Sequence, residues 1–359
     1  MRIGYVIDVH RLRAEEPTPT PQRVRATMEA MIREGVTAER AGFHSIQVPD
    51  RHGRSECFFP GPEQLLTILA RETERVAIGS FTFVATLIHP MKAAEQFSVV
   101  DNLSGGRLYT TVSRGFLPSF WQQFGVPQSN RLGRFKEALA IWQEAFKGQR
   151  FDFDGSYWQV QQGLLAPQPF QRGGWPIWGG GNAVPAAIER CAEYAECWTS
   201  DPLPMQKAIW DEQADLYRAR AEALGKKPFV VMMRDGWVAD SFEDAAKVFG
   251  EHYVRAARFY QRQGLLSHAP EFASEADITV RSVAPHLVLG TPSQCVEQLE
   301  RLREEYHVDY VALCCRLSTG PSLEQTLEQI ERLGSEVVGP IHAKYPPPDH
   351  PAIPAVCRW

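Results

Sequence analysis

The residues best suited to chemistry lie in four short runs. In Ser104-Gly105-Gly106-Arg107-Leu108-Tyr109-Thr110-Thr111-Val112-Ser113-Arg114-Gly115-Phe116, a helical pattern stops at a glycine pair and a β-branched strand follows. Arg114 then stands beside a glycine where that strand runs out. Such a cation grips anionic ligands at the C-terminal end of a buried strand, or is a solvated arginine on a surface turn. Gly179-Gly180-Gly181-Asn182 joins a strand to a helix. Glycines let backbone approach a phosphate, and the helix start offers free N–H groups. An ordinary βα turn would need fewer glycines. Asp50-Arg51-His52 ends another strand and could handle protons, or Asp50 and Arg51 could form a rim salt bridge. Asp235 shares a strand face with Met233 and Trp237 by period two. A carboxylate inside a barrel would be partly desolvated and raised in pKa, making it an acid or base; pairing with an arginine is the plainer role.

The elements that must carry these runs alternate along the chain. The pattern predicts strands at Arg2–Ile7, His44–Val48, Val76–Val84, Arg107–Ser113, Trp175–Trp178, Glu196–Thr199, Pro228–Ala239 and Asp309–Cys314. Helical patterns separate them, including one from about Gln22 to Ala41, one over Pro90–Leu103 and one opening at Pro204. Eight strand–helix units predict a single (β/α)8 barrel over residues 1–341, with a doubly wound sheet as the alternative. Insertions are expected at Phe151–Gln171, as a β-excursion over the barrel mouth, and at Gly264–Leu289. A loosely ordered tail is expected over 342–359, where Pro346, Pro347 and Pro348 follow Tyr345. Phe58, Phe59, Trp121, Tyr157 and Trp158 fall in rim loops. Exposed aromatics there would cover a mostly apolar substrate pocket or form a structural lid.

With 359 residues and 44% hydrophobic composition, the chain can bury a large core. A net charge of −5 without a Lys/Arg cluster argues against nucleic-acid binding. Seven scattered cysteines include no Cys-x-x-Cys pair, so no metal site is read from them and reduced thiols in a cytoplasm are expected. Neither a signal peptide nor an apolar run long enough to span a bilayer is apparent.

Taken in order, these landmarks resemble the luciferase-like flavin monooxygenases, the family of bacterial luciferase and the alkanesulfonate monooxygenases. They are Ala38–His52, Thr73–Ser80, His89-Pro90, Ser104–Phe116 and Trp121–Pro127. The coenzyme F420-dependent dehydrogenases share that fold. The resemblance implies reduced FMN from a separate NAD(P)H:flavin reductase, reaction with O2 through a flavin C4a-(hydro)peroxide, and oxygenation of a small organic substrate. No Gly-x-Gly-x-x-Gly fingerprint follows a strand, in keeping with a partner reductase. Hydride transfer with F420, aided by Arg51, Arg54 and Arg172 at the mouth, is the alternative, and a non-catalytic flavin-binding barrel a third. By resemblance, Arg114 holds the FMN phosphate through its guanidinium and Gly180, Gly181 and Val184 through backbone. A cis peptide joins Phe81 to Thr82 beneath the ring, and Trp198 flanks it or belongs to the core. The family has an acidic residue and one or two histidines where this chain has Asp50, Arg51 and His52. Arg51 therefore becomes an anion stabiliser or substrate contact, and His52 the acid or base. Homodimers are implied through Pro62–Glu74 and Pro90–Leu103, with Leu65, Leu66, Ile68, Leu69 and Phe97 as contacts.

Overall fold

A computed structural model describes residues 1–13, 16–181, 184–200 and 206–359. Its strands, in chain order, are β1 (Arg2–Val6), β2 (Ser45–Val48), β3 (Ala77–Val84), β4 (Leu108–Ser113), β5 (Phe151–Asp154), β6 (Gln159–Gly163), β7 (Ile177–Gly180), β8 (Cys197–Ser200), β9 (Val230–Val238), β10 (Val288–Gly290) and β11 (Tyr310–Cys314). Eight of them, β1-β2-β3-β4-β7-β8-β9-β11, close into a parallel barrel through β1–β11 pairing. The eight strands expected from the sequence are these eight, with ends within two residues. Apolar runs buried on both faces suit parallel strands, because helices cover the outside.

The helices are α1 (Pro21–Arg40), α2 (Pro62–Glu72), α3 (Pro90–Ser104), α4 (Pro118–Gln123), α5 (Arg131–Ala145), α6 (Pro185–Tyr194) and α7 (Lys207–Ala223), then α8 (Phe242–Ala245), α9 (Glu251–Arg262), α10 (Val280–Val283), α11 (Pro292–Glu304), α12 (Leu323–Leu333) and α13 (Gly339–Lys344). The expected helix start at Pro204 lies outside the described residues. Proline opens α1, α2, α3, α6 and α11, where its fixed φ suits the first turn and no N–H is missed. At the end of α3, Gly105 takes φ 66°, the left-handed conformation that stops a helix. No helix among the described residues is long and apolar enough to cross a membrane.

Three expectations are corrected. Residues 151–171 do form a hairpin, β5–β6, but it lies along α3 and α5 rather than over the mouth. Ser98 donates to the Pro167 carbonyl at 2.6 Å and Asn102 to that of Gln168 at 2.8 Å, and Trp158 packs with Ile141. The second insertion contains α10 and ends in an added strand, β10. That strand pairs with the far end of β9 (Val288 with Gly236), just past the last β9–β11 partner, Asp235 with Cys314. The C-terminal residues are not loose. Ala352, Ile353 and Cys357 are buried with Trp178, Tyr109, Phe229 and Tyr310 inside the base of the barrel.

That base is a polar-stitched aromatic floor. Tyr109 stacks on Trp178 at 4.1 Å, and the Tyr109 and Tyr310 hydroxyls both donate to Ser45 Oγ, at 3.1 and 2.7 Å. The Trp178 indole donates to the Ala352 carbonyl at 2.6 Å, and a His44 ring nitrogen lies 2.8 Å from the Cys357 carbonyl. Three prolines argue for disorder when read alone. Here the tail supplies the apolar surface that seals an otherwise open barrel end. Deleting residues 350–359 is expected to destabilise the fold by about 3–5 kcal/mol, from lost burial and two buried hydrogen bonds. Differential scanning calorimetry should show the unfolding midpoint falling by several degrees; an unchanged midpoint would exclude the tail from the cooperative unit.

Candidate active site

A cavity of about 610 Å³ opens at the C-terminal ends of the barrel strands. The ends of β3, β4 and β7 with the start of α6 form one side. The segments after β1 and β2, the end of β9 and the helix α9 form the other. Seven of the expected residues line it: Arg51, Phe81, Thr82, Arg114, Gly180, Gly181 and Asp235.

On the first side, β3 carries a register shift against β4 between Ser80 and Phe83, and the Phe81–Thr82 peptide is cis. Thr82 Oγ1 lies 2.9 Å from Ser113 Oγ, which ties the bulge to β4. Gly180 sits against that bulge. A Cβ there would meet Thr82 Cγ2 at 2.8 Å and the Val112 carbonyl at 3.2 Å, so only glycine fits. A Cβ on Gly181 would meet Cys191 Sγ at 2.9 Å. The Gly181 N–H already donates to the Thr199 carbonyl at 3.1 Å, and Trp198 Nε1 donates to the Gly181 carbonyl at 3.0 Å. Gly181 thus shapes the turn with its backbone committed to neighbours. Val184 caps α6, its carbonyl accepting from Ala187 N–H at 2.7 Å. Asn182 lies outside the described residues.

The charge on this side is positive. Arg114 is half-buried, and its pKa falls to about 10 through burial first, then the nearby charges of Arg190 and Arg131. Arg190 lines the cavity as well, and Arg131 lies over the Trp121 ring at 5.5 Å. Among the described residues, none of these three arginines has a carboxylate within ion-pair distance. Converging, uncompensated guanidinium groups beside a glycine cradle fit a phosphate group. Arg190 escaped the sequence reading because it stands inside a helix; its place in the second turn of the helix that follows the Gly179–Gly181 turn was the available signal.

The second side sets charged groups among apolar ones. Asp8 and His10 follow β1, and the Asp8 carboxylate lies 2.9 Å from His10 Nδ1. Burial alone would raise Asp8, but His10 and Arg11 outweigh it and hold its pKa near about 2. Arg54 pairs with Glu56. The loops after β1 and β2 are zipped together by a bridge between His10 and Cys57. Asp235 is 3% exposed, and its Oδ1 has no hydrogen-bond partner. Burial, then the charge of Asp8, raises its pKa to about 7, while Arg234 pulls the other way. Tyr260, on α9, faces the same space. The expected pairing of Asp235 with an arginine is therefore incomplete, and the acid–base reading gains support. Asp8 and His10 went unread although they directly follow a buried strand, the position the barrel rule selects.

The Asp50-Arg51-His52 run divides its residues. Asp50 is buried, accepting from Val84 N–H at 2.9 Å through Oδ2 and lying 2.7 Å from His52 Nε2 through Oδ1. Burial would lower the His52 pKa, but Asp50 raises it above the ordinary value. His52 is not among the residues lining the cavity; its ring stands edge-on to Phe124 at 4.9 Å. The expected Asp50–Arg51 ion pair does not form. Arg51 instead lines the cavity, its guanidinium 5.6 Å from the Phe116 ring centroid.

The cavity is mostly apolar and carries aromatics, among them Phe81, Phe116, Phe135, Tyr253, Phe259 and Tyr260, but the expected rim aromatics are not among them. Phe58 and Phe59 belong to the main core, Trp121 packs on Val84 and Leu87, and Trp158 lies under Arg134 at 3.8 Å. Trp198 points out of the barrel onto Trp210 at 5.1 Å, as alternation with the inward Cys197 requires. Of the arginines considered for an F420 tail, Arg172 stands on the segment entering β7, at the opposite end of the barrel from the mouth, and Arg54 is neutralised by Glu56.

Known proteins carry the same architecture. A flavin-dependent trigonelline monooxygenase oxygenase component from Acinetobacter baylyi is 27% identical over 336 residues, 88% of this chain and 91% of that protein. The oxygenating constituent of 3,6-diketocamphane monooxygenase from the CAM plasmid of Pseudomonas putida, a type II Baeyer–Villiger monooxygenase solved with FMN, superposes with a TM-score of 0.80 at 17% identity. It covers 94% of this chain and 98% of its own. An F420-dependent glucose-6-phosphate dehydrogenase from Beutenbergia cavernae is 32% identical over 143 residues, 37% of this chain and 42% of that protein. The family model for luciferase-like monooxygenases matches residues 1–309, so the chain belongs to the luciferase-like monooxygenase family.

Proposed function

We propose that this protein is the oxygenase component of a two-component, FMN-dependent monooxygenase acting on a small organic substrate. The observation that carries this reading is the uncompensated Arg114–Arg190–Arg131 cluster beside the Gly180 cradle and the cis Phe81–Thr82 peptide. The 27% identical trigonelline monooxygenase component supports it and suggests a separate NAD(P)H:flavin reductase as partner. In this reading Arg114 and Arg190 hold the phosphate, and Phe81, Thr82 and Gly180 present backbone to the ring system. Reduced FMN, when bound, supplies the activation of O2.

The chain's own contribution is to orient, to exclude water and to move a proton. The floor of Tyr109 and Trp178 closes the barrel below the site. Asp235 is assigned the proton-donating role, because burial and the charge of Asp8 keep its carboxyl protonated up to about 7. Asp50 and His52 act as a positioning pair that fixes Val84 and the loop bearing Arg51.

Arg114→Ala should weaken FMN binding by at least about tenfold in a fluorescence titration, since a charge-assisted phosphate contact is lost. Unchanged affinity would sink the phosphate assignment, and tight binding of F420 instead of FMN would move the reading to a dehydrogenase. Turnover with NAD(P)H should require an added flavin reductase; turnover by the chain alone would remove that partner.

Asp235→Asn should leave FMN affinity intact while lowering turnover, and should abolish a fall in wild-type rate as pH rises through about 7. The same carboxyl links stability to pH. It keeps its proton in the fold up to about 7, whereas an unfolded aspartate releases its proton near about 4. Wild-type stability should therefore decline across that window relative to Asp235→Asn. Denaturant midpoints of the two proteins at acid and alkaline pH that shift in parallel would contradict the raised value.

We also propose a homodimer through α2 and α3. Leu65, Leu66, Leu69 and Phe97 are buried within the chain, so the contact falls to Val99 and Leu103, which are about 40% exposed one turn apart on α3. Val99→Glu with Leu103→Glu should convert the dimer to monomer in sedimentation velocity; a wild-type monomer would end this proposal.

A further inference from the structure

The cavity holds a second place for an anion, away from the Arg114 cluster. Arg51 is part-buried at the end of β2 and lines the mouth. Its side chain donates only to the Asp50 carbonyl, at 3.1 Å, and no carboxylate lies within ion-pair distance among the described residues. The acids on the segments after β1 and β2 are already committed, while Asp235 on β9 and Glu251 on α9 stand on other elements of the lining. Asp50 faces His52 and Val84, Asp8 faces His10, and Glu56 holds Arg54. Tyr260 comes to the same wall from α9, within electrostatic reach of Arg51, Arg54, Asp8 and Asp235. Its hydroxyl has no hydrogen-bond partner in the described structure. A partly desolvated guanidinium beside a free phenol is a donor pair lacking its acceptor. Apolar side chains, among them Leu12, Phe116, Met233 and Leu317, line the cavity around it.

We propose that the substrate is an organic carboxylate, its carboxylate seated between the Arg51 guanidinium and the Tyr260 hydroxyl and its apolar body directed toward Asp235. The inference rests on the reading of this cavity as a flavin enzyme's active site, and it narrows the substrate to a class. An aspartate–histidine pair at the family position would leave a neutral or acidic wall. This chain places Arg51 there and turns its histidine away, which converts that wall into an anion acceptor. Arg51 is then a specificity residue that fixes which end of the substrate faces the protein. Asp235, near the end of β9 and separated from β2 by β11 and β1, is left free for proton transfer.

The test uses FMN-loaded protein, titrated by calorimetry with benzoate and cyclohexanecarboxylate and with their primary amides. FMN covers the Arg114 cluster, so binding reports the second site. The carboxylates should bind at least about tenfold more tightly than the amides, the scale of a charge-assisted bidentate contact. Arg51→Gln should erase that preference with FMN affinity unchanged, and Tyr260→Phe should reduce it by a smaller factor. Equal binding of acids and amides, no binding of either, or a preference that survives Arg51→Gln would overturn the proposal. Should FMN itself not bind, the flavin reading fails separately. The titration of flavin-free protein then decides this one: carboxylate binding lost in Arg51→Gln but kept in Arg114→Ala supports it, and the reverse overturns it.

Discussion

The absence of a Cβ at Gly180 governs the geometry of this mouth. A single methyl group there would meet Thr82 at 2.8 Å and the Val112 carbonyl at 3.2 Å. The β3 bulge and the end of β7 can share that space only because the side chain is missing. The Thr82 hydroxyl of the bulge meets that of Ser113, the residue opposite Val84 on β4, and Ser113 is followed at once by Arg114 and Gly115. A larger residue at 180 would have to displace the Thr82 side chain, which the β3 bulge holds against Ser113.

Charge then divides the cavity. The α6 side has three guanidinium groups and no described carboxylate partner, which a protein tolerates in a half-buried place when a ligand completes it. The β1–β2 side pairs Asp8 with His10 and Arg54 with Glu56, and among its groups without an ion-pair partner in the described residues are Arg51 and the Asp235 carboxyl. One is a fixed cation and the other titrates near neutrality. A molecule placed between the two sides would meet a cluster of guanidinium groups at one end and Arg51 with the buried Asp235 carboxyl at the other. Beneath both, the C-terminal residues close the barrel, so the site has a rigid floor as well as charged walls.

Much of the fold is legible residue by residue. Gly105 and Gly106 stop α3, proline marks most helix starts, and β-branched runs bounded by turns give all eight barrel strands to within two residues. Arg114 and Gly180 follow from the rule that barrel strands end at the site. Other features resisted because they depend on contacts distant in sequence. Trp121 and Trp158 read as pocket or structural lid and Trp198 as flavin neighbour or core, and packing of Trp121 on Val84 and Leu87, Trp158 on Ile141 and Trp198 on Trp210 decided for core. His52 looked like the acid–base residue until the buried Asp50 carboxylate captured it. Arg190 is legible only when α6 is laid against the end of β4.

The sequence by itself determined the (β/α)8 order and the family and pointed to Arg114 at the cavity, because these rest on local periodicity and on residues adjacent in the chain. Tertiary structure alone decided which member of each charged run faces the cavity. The three residues of Asp50-Arg51-His52 are indistinguishable in strand position. Their directions were settled by Val84 offering an N–H to Asp50 and by the Phe120–Phe124 pair receiving the His52 ring. The C-terminal segment shows the same division. Its prolines speak for an open chain, yet the apolar floor of the barrel, built by strands far earlier in the chain, holds it closed.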